Sequence, residues 1–419
     1  MDQRSYERNF REMSEKNSHK QIVVVGGGAA GCMAAIAACS AGGDVTLIEK
    51  NKTVAKKILS TGNGKCNFCH DVIRPGDFHL SEGNEFITSV LKAYPVEKCL
   101  DDFRKMGITP LVKDGYVYPY SEQAKSVTEV LTRSLKGVKV ITECSVTEIK
   151  KDGEKFTVKT SGKEFTADAV IITTGGEAAP VTGSTGDGFK FAKTFGLKMA
   201  KPVPALTSLT VKDHPYKKAA GVRIRGTVSI LIDGKEAGSD TGQLQITKTG
   251  FSGIPVFNVS RFASRALDEG KKVTLRLAFL PELSDADIRN EFETRLSKQI
   301  GSVYDAMIGL FPDSFADALL RNAGVDPDKK ASDTKAADKL FKASRELTVT
   351  VTGTGDMASS QVTCGGVLLS EVNAATMESN KHKGLYLAGE VLDIDGMCGG
   401  YNLYFAWASG FIAGSTAVR

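Results

Sequence analysis

The chain has 419 residues, which is too long for one ordinary domain of about 100–200 residues and predicts two or three packed units. Hydrophobic residues make up 41% of it and charged residues 25%, the balance of an ordinary globular protein. The net charge of +5 comes with no basic run, which disfavours nucleic acid and an anionic membrane as partners. Eight cysteines spread along the chain do not resemble a disulfide framework, and they favour the reducing cytoplasm.

The first predicted elements follow a polar N-terminal arm, residues 1–20. The pattern predicts a buried strand at 21–25, a turn at 26–31, a helix of small residues at 31–41 and a second strand at 44–49. The uncharged stretch from 21 to 43 is long enough for a signal peptide or a membrane span, but its glycines and its division into strand and helix argue against both. The order strand, turn, helix, strand predicts the start of a doubly wound α/β sheet.

The pattern then changes along the chain. Helical periodicity covers 82–107 and 121–136, alternation at 139–149, 155–160 and 164–165 predicts a small antiparallel element, and 167–174 is another buried strand. Residues 205–280 alternate like strands, 284–346 are charged and helical in pattern, 347–352 return to strand, and a strand at 384–387 and a helix at 401–416 follow.

The simplest architecture is discontinuous. It consists of a Rossmann-like nucleotide-binding domain from residues 21–200 and 353–419, a β-rich insertion from 201–283 and 347–352, and a helical cap from 284–346. The predicted fold class is therefore α/β.

The turn at 26–31 matches the dinucleotide fingerprint Gly26-x-Gly28-x-x-Gly31. In that fingerprint the first glycine permits the tight turn, the second lets the backbone approach the pyrophosphate, and the third lets the helix pack on the strand. Glu49 ends the next strand, where a carboxylate can accept hydrogen bonds from a ribose diol. An acid at this position disfavours the 2′-phosphate of NADP, and the turn alone leaves FAD and NAD open.

Three distant segments favour FAD, because an extended FAD needs contacts to its ribityl chain and flavin ring. Residues 57–67 form a glycine-punctuated loop whose amides and lysines could hold the pyrophosphate or face the flavin. Residues 384–395 contain a strand that ends in a Gly-Glu pair suited to a ribityl hydroxyl. Residues 399–402 open the last helix, whose positive end would lie near N1 and O2 of the flavin ring.

With these motifs the sequence resembles the BaiN/YhiN-like NAD(P)/FAD-dependent oxidoreductases, a bacterial flavoprotein family also described as aminoacetone-oxidase-like. The resemblance spans roughly residues 21–416, and so many matches in one order are specific to the family. The matching motifs are GGGAAG (26–31), STGNGKCN (60–67), GYVYP (115–119), TTGGEAAPVTGSTGDGF (173–189), PALTSL (204–209), TKTGFSGIPV (247–256), VTCGGV (362–367), TMES (376–379) and GLYLAGEVLDIDGMCGGYNLYFAWASGFIAG (384–414).

The resemblance implies a Rossmann-like FAD-binding domain with an inserted β-barrel-like domain and a helical cap. It implies FAD contacts at Gly26, Gly28, Ala30, Gly31, Glu49, Lys50, Gly62, Gly64, Cys66, Asn67, Val146, Thr174, Gly175, Gly389, Glu390, Asn402 and Leu403. The flavin loop and the last helix add Lys65 and Gly400 as cofactor-binding candidates. The family usually has arginine at position 65, threonine and asparagine at positions 69 and 70, and a small residue such as threonine at position 398, where this chain has Lys, Cys, His and Cys.

The resemblance also implies an FAD-dependent oxidoreductase that reduces a small molecule bearing a conjugated C=C bond or a carbonyl by flavin hydride transfer. One branch of the family is linked to reduction of conjugated C=C bonds in oxo-bile acids. NADH or NADPH is the expected transient reductant, although no second fingerprint follows a strand. Two alternatives stay open: an FAD-dependent oxidase that uses O2, and an RNA-modifying flavoprotein, to which the basic pairs Lys217-Lys218 and Arg223-x-Arg225 point.

Few side chains stand out as proton donors. Tyr401, Tyr404 and Tyr118 are candidate acids, since the flavin carries the hydride and the protein supplies at most a proton, although each also fits as a packing aromatic. The run CNFCH (66–70) matches a c-type haem attachment motif, but nothing indicates the export that haem attachment requires. A redox pair of its two cysteines, or Cys66 simply lining the flavin loop, both stay open. The five histidines are scattered, so no metal site is predicted.

Overall fold

A computed structural model describes residues 19–298, 301–331 and 335–419. Its strands are β1 Gln21–Val25, β2 Asp44–Ile48, β3 Cys69–His70, β4 Phe78–Leu80, β5 Pro110–Lys113, β6 Tyr116–Pro119, β7 Lys139–Ile141, β8 Val146–Asp152, β9 Lys155–Thr160, β10 Glu164–Ala167, β11 Ala169–Ile172, β12 Met199–Ala205, β13 Leu209–Val211, β14 Arg223–Ile232, β15 Lys235–Ile246, β16 Gly250–Ser252, β17 Val273–Phe279, β18 Leu347–Thr354, β19 Val362–Val367, β20 Leu385–Leu387 and β21 Ile394–Gly396. Its α-helices are α1 Ala29–Ser40, α2 Glu85–Ala93, α3 Val96–Met106, α4 Ala124–Ser134, α5 Asp187–Thr194, α6 Ile254–Asp268, α7 Asp285–Ser297, α8 Val303–Met307, α9 Asp313–Asn322, α10 Lys335–Arg345 and α11 Tyr401–Ala417. The predicted N-terminal arm lies outside the described residues except for its last two.

The described chain divides into two compact units. The first comprises the chain up to Pro202 together with Gly365–Arg419, and the second is Val203–Cys364. Residues 353–364, which the sequence assigned to the nucleotide-binding domain, therefore belong to the second unit. One physical reason is that β18 does not end at residue 352 but continues to Thr354, still paired with β13.

A parallel sheet forms the centre of the first unit, with strand order β20-β11-β1-β2-β7. Strand β1 pairs with β2 on one side and with β11 on the other, and both pairings are parallel. The strand order therefore reverses at β1, and ligands of such sheets bind outside the carboxyl ends of the strands at this switch point. The turn after β1 lies there.

Two helices made largely of small residues pack against each other in the first unit. A Cβ added to Gly410 of α11 would lie 2.4 Å from the carbonyl oxygen of Ala30 in α1, and one added to Gly414 would lie 2.1 Å from that of Ala34. Only glycine at both positions permits this approach, since real Cβ contacts are not so short. The close packing ties α11 to α1.

Smaller sheets surround this core. Strands β8, β9 and β10 form an antiparallel sheet, as predicted, and β3, β6 and β5 form another. The prediction that residues 139–149 belong to an antiparallel element is wrong at its start, because β7 pairs with β2 in the parallel sheet. The helical stretch 82–107 is divided at Pro95, since proline disfavours helix at the residue before it and α3 starts only after it.

The second unit contains a closed barrel with strand order β13-β16-β15-β14-β17-β18. Helix α6 lies in the segment that the sequence assigned to strands, and it begins with a proline in its first turn. Its buried positions Val256, Val259 and Ala263 follow helical spacing. Helices α7–α10 lie between β17 and β18, and their side chains share one hydrophobic core with the barrel.

No helix in the described ranges is both long and apolar enough to span a bilayer. All eight cysteines lie in the described part of the chain, and none of them forms a disulfide there.

Candidate functional site

The turn after β1 gives each fingerprint glycine a separate steric role. Gly26 has φ +103°, and a Cβ there would lie 2.8 Å from the carbonyl oxygen of Thr173 at the end of β11. A Cβ on Gly31 would lie 1.8 Å from the carbonyl oxygen of Gly26, so α1 could not follow the turn as it does. A Cβ on Gly28 would meet no atom within 4 Å. The chain thus packs closely at Gly26 and Gly31 and leaves space open over Gly28.

The carboxylate of Glu49 is buried at the end of β2 beside this turn. Its Oε2 accepts a hydrogen bond from the Gly27 backbone amide at 2.7 Å, and its Oε1 accepts from both amide nitrogens of Asn51 at 2.7 Å. A carboxylate has about four lone-pair sites, so acceptor capacity remains for a ribose diol. The ammonium of Lys50 instead contacts Asp187, 2.6 Å away.

Helix N-termini in the first unit present unmatched amides at the ends of two predicted cofactor segments. Neither α1, which begins with Ala29 and Ala30, nor α11 has a side-chain cap or an acidic residue in its first turn. Such ends favour negative charge, which suits a pyrophosphate at α1 and the pyrimidine end of a flavin at α11.

The predicted flavin loop is a series of 3-10 turns with several residues in the left-handed region. Gly62, Gly64 and Cys66 all have positive φ, and a Cβ on Gly62 would lie 2.7 Å from the amide nitrogen of Asn67. Lys57 forms an ion pair with Glu390 at 2.9 Å, which joins the loop to the segment after β20. Lys65 points to the surface, where it pairs with Glu122 at 3.2 Å.

The C-terminal segment meets both the turn and the loop. A Cβ on Gly389 would lie 2.8 Å from Cβ of Ala30, and one on Gly400 would lie 2.8 Å from Oδ1 of Asn67. The side chain of Asn402 faces its own segment, since it accepts from the Gly396 amide at 2.8 Å and donates to the Gly396 carbonyl at 2.9 Å. Its neighbour Leu403 is only partly buried.

Two further predicted cofactor positions lie near this convergence. Val146 begins β8, two residues after the amide of Cys144 that donates to the Glu49 carbonyl at 3.0 Å. Gly175 has φ +74° and follows Thr174 beyond the end of β11.

Buried polar atoms without a partner test whether these residues fit FAD. Within the described chain, Oδ1 of Asn67 and Oγ1 of Thr174 are buried and have no hydrogen-bond partner. Burying such atoms costs about 1–3 kcal/mol each unless a ligand or water satisfies them. Oδ1 of Asn67 lies beside Gly400, just before α11. Thr174 follows β11 beside the turn at Gly26. Both atoms, with the open space over Gly28, are therefore available to a bound FAD.

The candidate proton donors differ in what surrounds them. Tyr404 is fully buried and its hydroxyl donates to the backbone carbonyl of Tyr94, while burial raises its pKa well above the usual range. Burial raises the pKa of Cys66 to about 12, so its thiol is neutral at ordinary pH. Burial also raises the pKa of Tyr401 to about 12. Burial raises the pKa of Tyr118 as well. None of the three phenols is poised to ionise near neutral pH.

The second cysteine of the CNFCH run lies against a different thiol. The thiol of Cys69 donates to the His70 carbonyl oxygen at 3.3 Å, while burial and then the nearby Cys69 raise the pKa of Cys99 of α3. No disulfide joins Cys66 to Cys69. No cluster of three or more histidine, cysteine or carboxylate side chains suited to a metal occurs in the described ranges.

Sequence reasoning missed two groups of side chains. In the first unit, the imidazole of His70 stacks on the ring of Tyr401, with centroids 5.0 Å apart. In the second unit, Arg261 and Arg265 of α6 each donate to the thiol of Cys364 at 3.2 Å. The i, i+4 spacing of the arginines is a helical signal, but it was hidden because the segment was assigned to strands.

The model of the family described as HI0933-like protein Rossmann domain matches residues 20–416. The chain belongs to this family, and the resemblance inferred from its motifs is confirmed.

Curated relatives carry two kinds of name. A 3-dehydro-bile acid delta(4,6)-reductase of Clostridium scindens is 39% identical over 95% of this chain and 99% of the relative. A ribosomal RNA dihydrouridine synthase of Haemophilus influenzae is 26% identical over 94% of this chain and 98% of that relative. Its counterpart of Escherichia coli is 28% identical over 92% of this chain and 95% of that relative. Among solved structures, a 3-ketosteroid delta1-dehydrogenase of Sterolibacterium denitrificans is similar in fold, with a TM-score of 0.50, 13% identity, and 95% of this chain and 99% of that one covered.

The chain is an FAD-dependent oxidoreductase. The predicted α/β fold class with an inserted barrel is confirmed, as is the predicted class of enzyme.

Proposed function

We propose that this protein reduces a C=C bond conjugated to a carbonyl in a small molecule. The observation that carries the proposal is the 39% identity, over nearly the whole chain, to a protein named as a delta(4,6)-reductase of a 3-dehydro-bile acid. The more distant relatives are named as dihydrouridine synthases, and dihydrouridine is uridine whose carbonyl-conjugated C5=C6 bond has been reduced. Both names describe reduction of the same kind of bond, which supports the bond type more firmly than any one substrate.

In this proposal the first unit holds FAD. Bound FAD supplies the hydride, and the protein binds FAD and the substrate, orients them and excludes water. The backbone at Gly28 and the α1 N-terminus would hold the pyrophosphate, Glu49 the ribose, and Asn67 with the α11 N-terminus the ring end. Lys65 of the flavin loop and Gly400 at the last helix are further candidates. The remaining cofactor positions are those that the family resemblance implies, namely Gly26, Ala30, Gly31, Lys50, Gly62, Gly64, Cys66, Val146, Thr174, Gly175, Gly389, Glu390, Asn402 and Leu403.

The electron donor in the proposal is NADH or NADPH, bound only transiently, because the chain has one dinucleotide fingerprint. The partner is a small molecule, and a cytoplasmic location remains a prediction from the cysteines.

An anaerobic two-step experiment tests the proposal. The purified, FAD-loaded protein is reduced with NADH or NADPH and then mixed with a 3-oxo bile acid carrying 4,6 double bonds, with its saturated counterpart as the matched control. We expect the flavin absorption near 450 nm to return with the unsaturated compound alone. Failure of every conjugated enone and enoate to reoxidise the flavin contradicts the proposal. Rapid reoxidation by O2 with stoichiometric peroxide would instead identify an oxidase.

A second candidate is an RNA-modifying reductase, favoured by the two relatives named as ribosomal RNA dihydrouridine synthases. Lys217, Lys218 and Arg223 in the second unit are exposed, while Arg225 is paired with Glu282. Binding to ribosomal RNA that weakens steeply with salt, together with reoxidation of the flavin by that RNA, would support this candidate. Equal binding to a neutral polymer would remove it.

A further inference from the structure

The two oxygens of the Glu49 carboxylate are occupied unequally. Oε1 accepts from the backbone amide and from the side-chain amide of Asn51, each at 2.7 Å, whereas Oε2 accepts only from the Gly27 backbone amide, also at 2.7 Å. Each carboxylate oxygen offers about two lone-pair sites, so Oε1 is filled and Oε2 keeps one. Glu49 can therefore accept one further hydrogen bond, and it can do so only through Oε2.

Asn51, which fills Oε1, is fixed from several sides. Its backbone carbonyl accepts from the Glu143 amide at 3.0 Å, and its Nδ2 donates to the Thr182 carbonyl at 3.1 Å as well as to Glu49. Nδ2 thus uses both of its hydrogens, and its two partners are acceptors, which fixes the end of the amide that faces them. Gly183 has φ +107°, and a Cβ on it would lie 2.4 Å from Nδ2, so glycine at this position lets the loop approach the amide.

This amide lies at the edge of the parallel sheet where ligands bind. Asn51 joins the segment after β2 to the loop after β11, although β1 lies between these two strands in the sheet. The open acceptor Oε2 is bonded to Gly27 in the turn after β1, and the next residue, Gly28, faces open space. The one free lone pair of Glu49 is therefore on the oxygen that contacts the dinucleotide turn.

We propose that Asn51 is a positioning residue for the cofactor, because by filling Oε1 it limits Glu49 to one of the two hydroxyls of the adenosine ribose of FAD. The inference rests on the placement of FAD in the first unit that the proposed function makes. A hydroxyl that donates to a carboxylate makes a charge-assisted hydrogen bond, about twice as strong as one between neutral groups. FAD should therefore depend strongly on one ribose hydroxyl and weakly on the other.

The test uses FAD and two analogues, which lack the 2′ or the 3′ hydroxyl of the adenosine ribose. Flavin fluorescence gives the Kd of each for the full-length apoprotein. For the wild type we expect one analogue to bind about 10-fold more weakly than FAD and the other to bind within about twofold of FAD. Equal losses for the two analogues, or no loss for either, overturn the inference without any variant.

Two variants test the part that Asn51 plays. In Asn51→Ala the difference between the analogues should shrink at least about threefold, since Oε1 regains a lone pair and can accept from the second hydroxyl. Asn51→Asp keeps the size of the side chain but removes the donor, so the same loss of discrimination is expected. Wild-type discrimination in both variants overturns the inference. Each comparison is made on one folded protein, so a general loss of stability does not produce the expected change.

Lys56→Met is the matched control, because Lys56 holds the same loop without contacting Glu49. Its ammonium donates to the Val181 carbonyl at 2.8 Å and reaches Oδ1 of Asn51 at 3.4 Å. Lys56→Met should keep the wild-type difference between the analogues. Loss of that difference in Lys56→Met would assign it to the loop and overturn the role of Asn51.

The inference and the proposed function fail separately. If the wild type discriminates between the analogues as expected but no enone reoxidises its reduced flavin, the proposed reaction fails and the inference stands. If an enone reoxidises the flavin and the two analogues bind equally, the inference fails and the proposed function stands.

Discussion

Two glycines of the turn after β1 offer a matched pair of substitutions, because one faces open space and the other faces backbone. A methyl group added at Gly28 meets no atom within 4 Å, whereas one added at Gly31 lies 1.8 Å from the carbonyl oxygen of Gly26. Gly28→Ala should therefore affect the ligand, and Gly31→Ala should affect the protein itself.

The magnitudes follow from these distances. Since Cβ contacts below about 3.0 Å do not occur, the turn in Gly31→Ala must open by about 1.2 Å, the difference between 3.0 and 1.8 Å. Such overpacking costs about 3 kcal/mol of folding free energy, at the upper end of the usual range. Gly28 is the N-cap of α1, where replacing glycine by alanine costs about 1 kcal/mol or less. A methyl group under the pyrophosphate should raise the Kd for FAD at least about tenfold, or about 1.4 kcal/mol.

The assay combines urea unfolding of the apoprotein with titration of FAD followed by flavin fluorescence. We expect Gly31→Ala to lower the free energy of unfolding by about 3 kcal/mol. Gly28→Ala should lower it by about 1 kcal/mol or less and weaken FAD binding. Wild-type FAD affinity in Gly28→Ala would refute the assignment of this turn to the pyrophosphate. Wild-type stability in Gly31→Ala would refute the steric reasoning.

Three further predictions concern buried side chains. Burial raises the pKa of both Cys32 and Cys66 from an ordinary 9.0 to about 12, so the native state holds these two protons more tightly than the unfolded chain does. The free energy of unfolding should therefore fall as pH rises from about 9 to about 12. Urea unfolding midpoints at pH 8 and pH 11 measure this fall, and equal midpoints contradict it. Tyr404→Phe should cost about 1 kcal/mol of unfolding free energy, from the lost hydrogen bond to Tyr94, and leave flavin reoxidation rates unchanged; a 100-fold slower rate would show a chemical role. Cys364→Ala should lower the free energy of unfolding by about 1–3 kcal/mol, because the sulfur accepts hydrogen bonds from two arginines of α6. Cys364→Ser should lose less, since its hydroxyl can still accept, and chemical denaturation of both variants measures the difference.

Local patterns predicted much of the first unit. The turn, its flanking strands and helix, and Glu49 all lie within 30 residues of one another, so periodicity and spacing were sufficient to find them. The same local signals failed at β7 and α6. Which strand β7 pairs with depends on the rest of the sheet, and the helical spacing of α6 was obscured by its strand-rich neighbours.

Contacts across the chain needed the structure. The ion pair of Lys57 with Glu390 joins residues 333 positions apart, and the approach of Gly400 to Asn67 is of the same kind. His70 was known only as the end of a CNFCH run, and nothing in its spacing predicted that it would stack on Tyr401.

The sequence by itself determined the class of this protein, because the dinucleotide fingerprint and the ordered family motifs are properties of short segments whose backbone preferences are local. Only the tertiary structure decided which side chains share a site. The imidazole of His70 reaches the start of α11 because β3 pairs with β6 and α11 packs beside them, and such convergence depends on packing between elements that are remote along the chain.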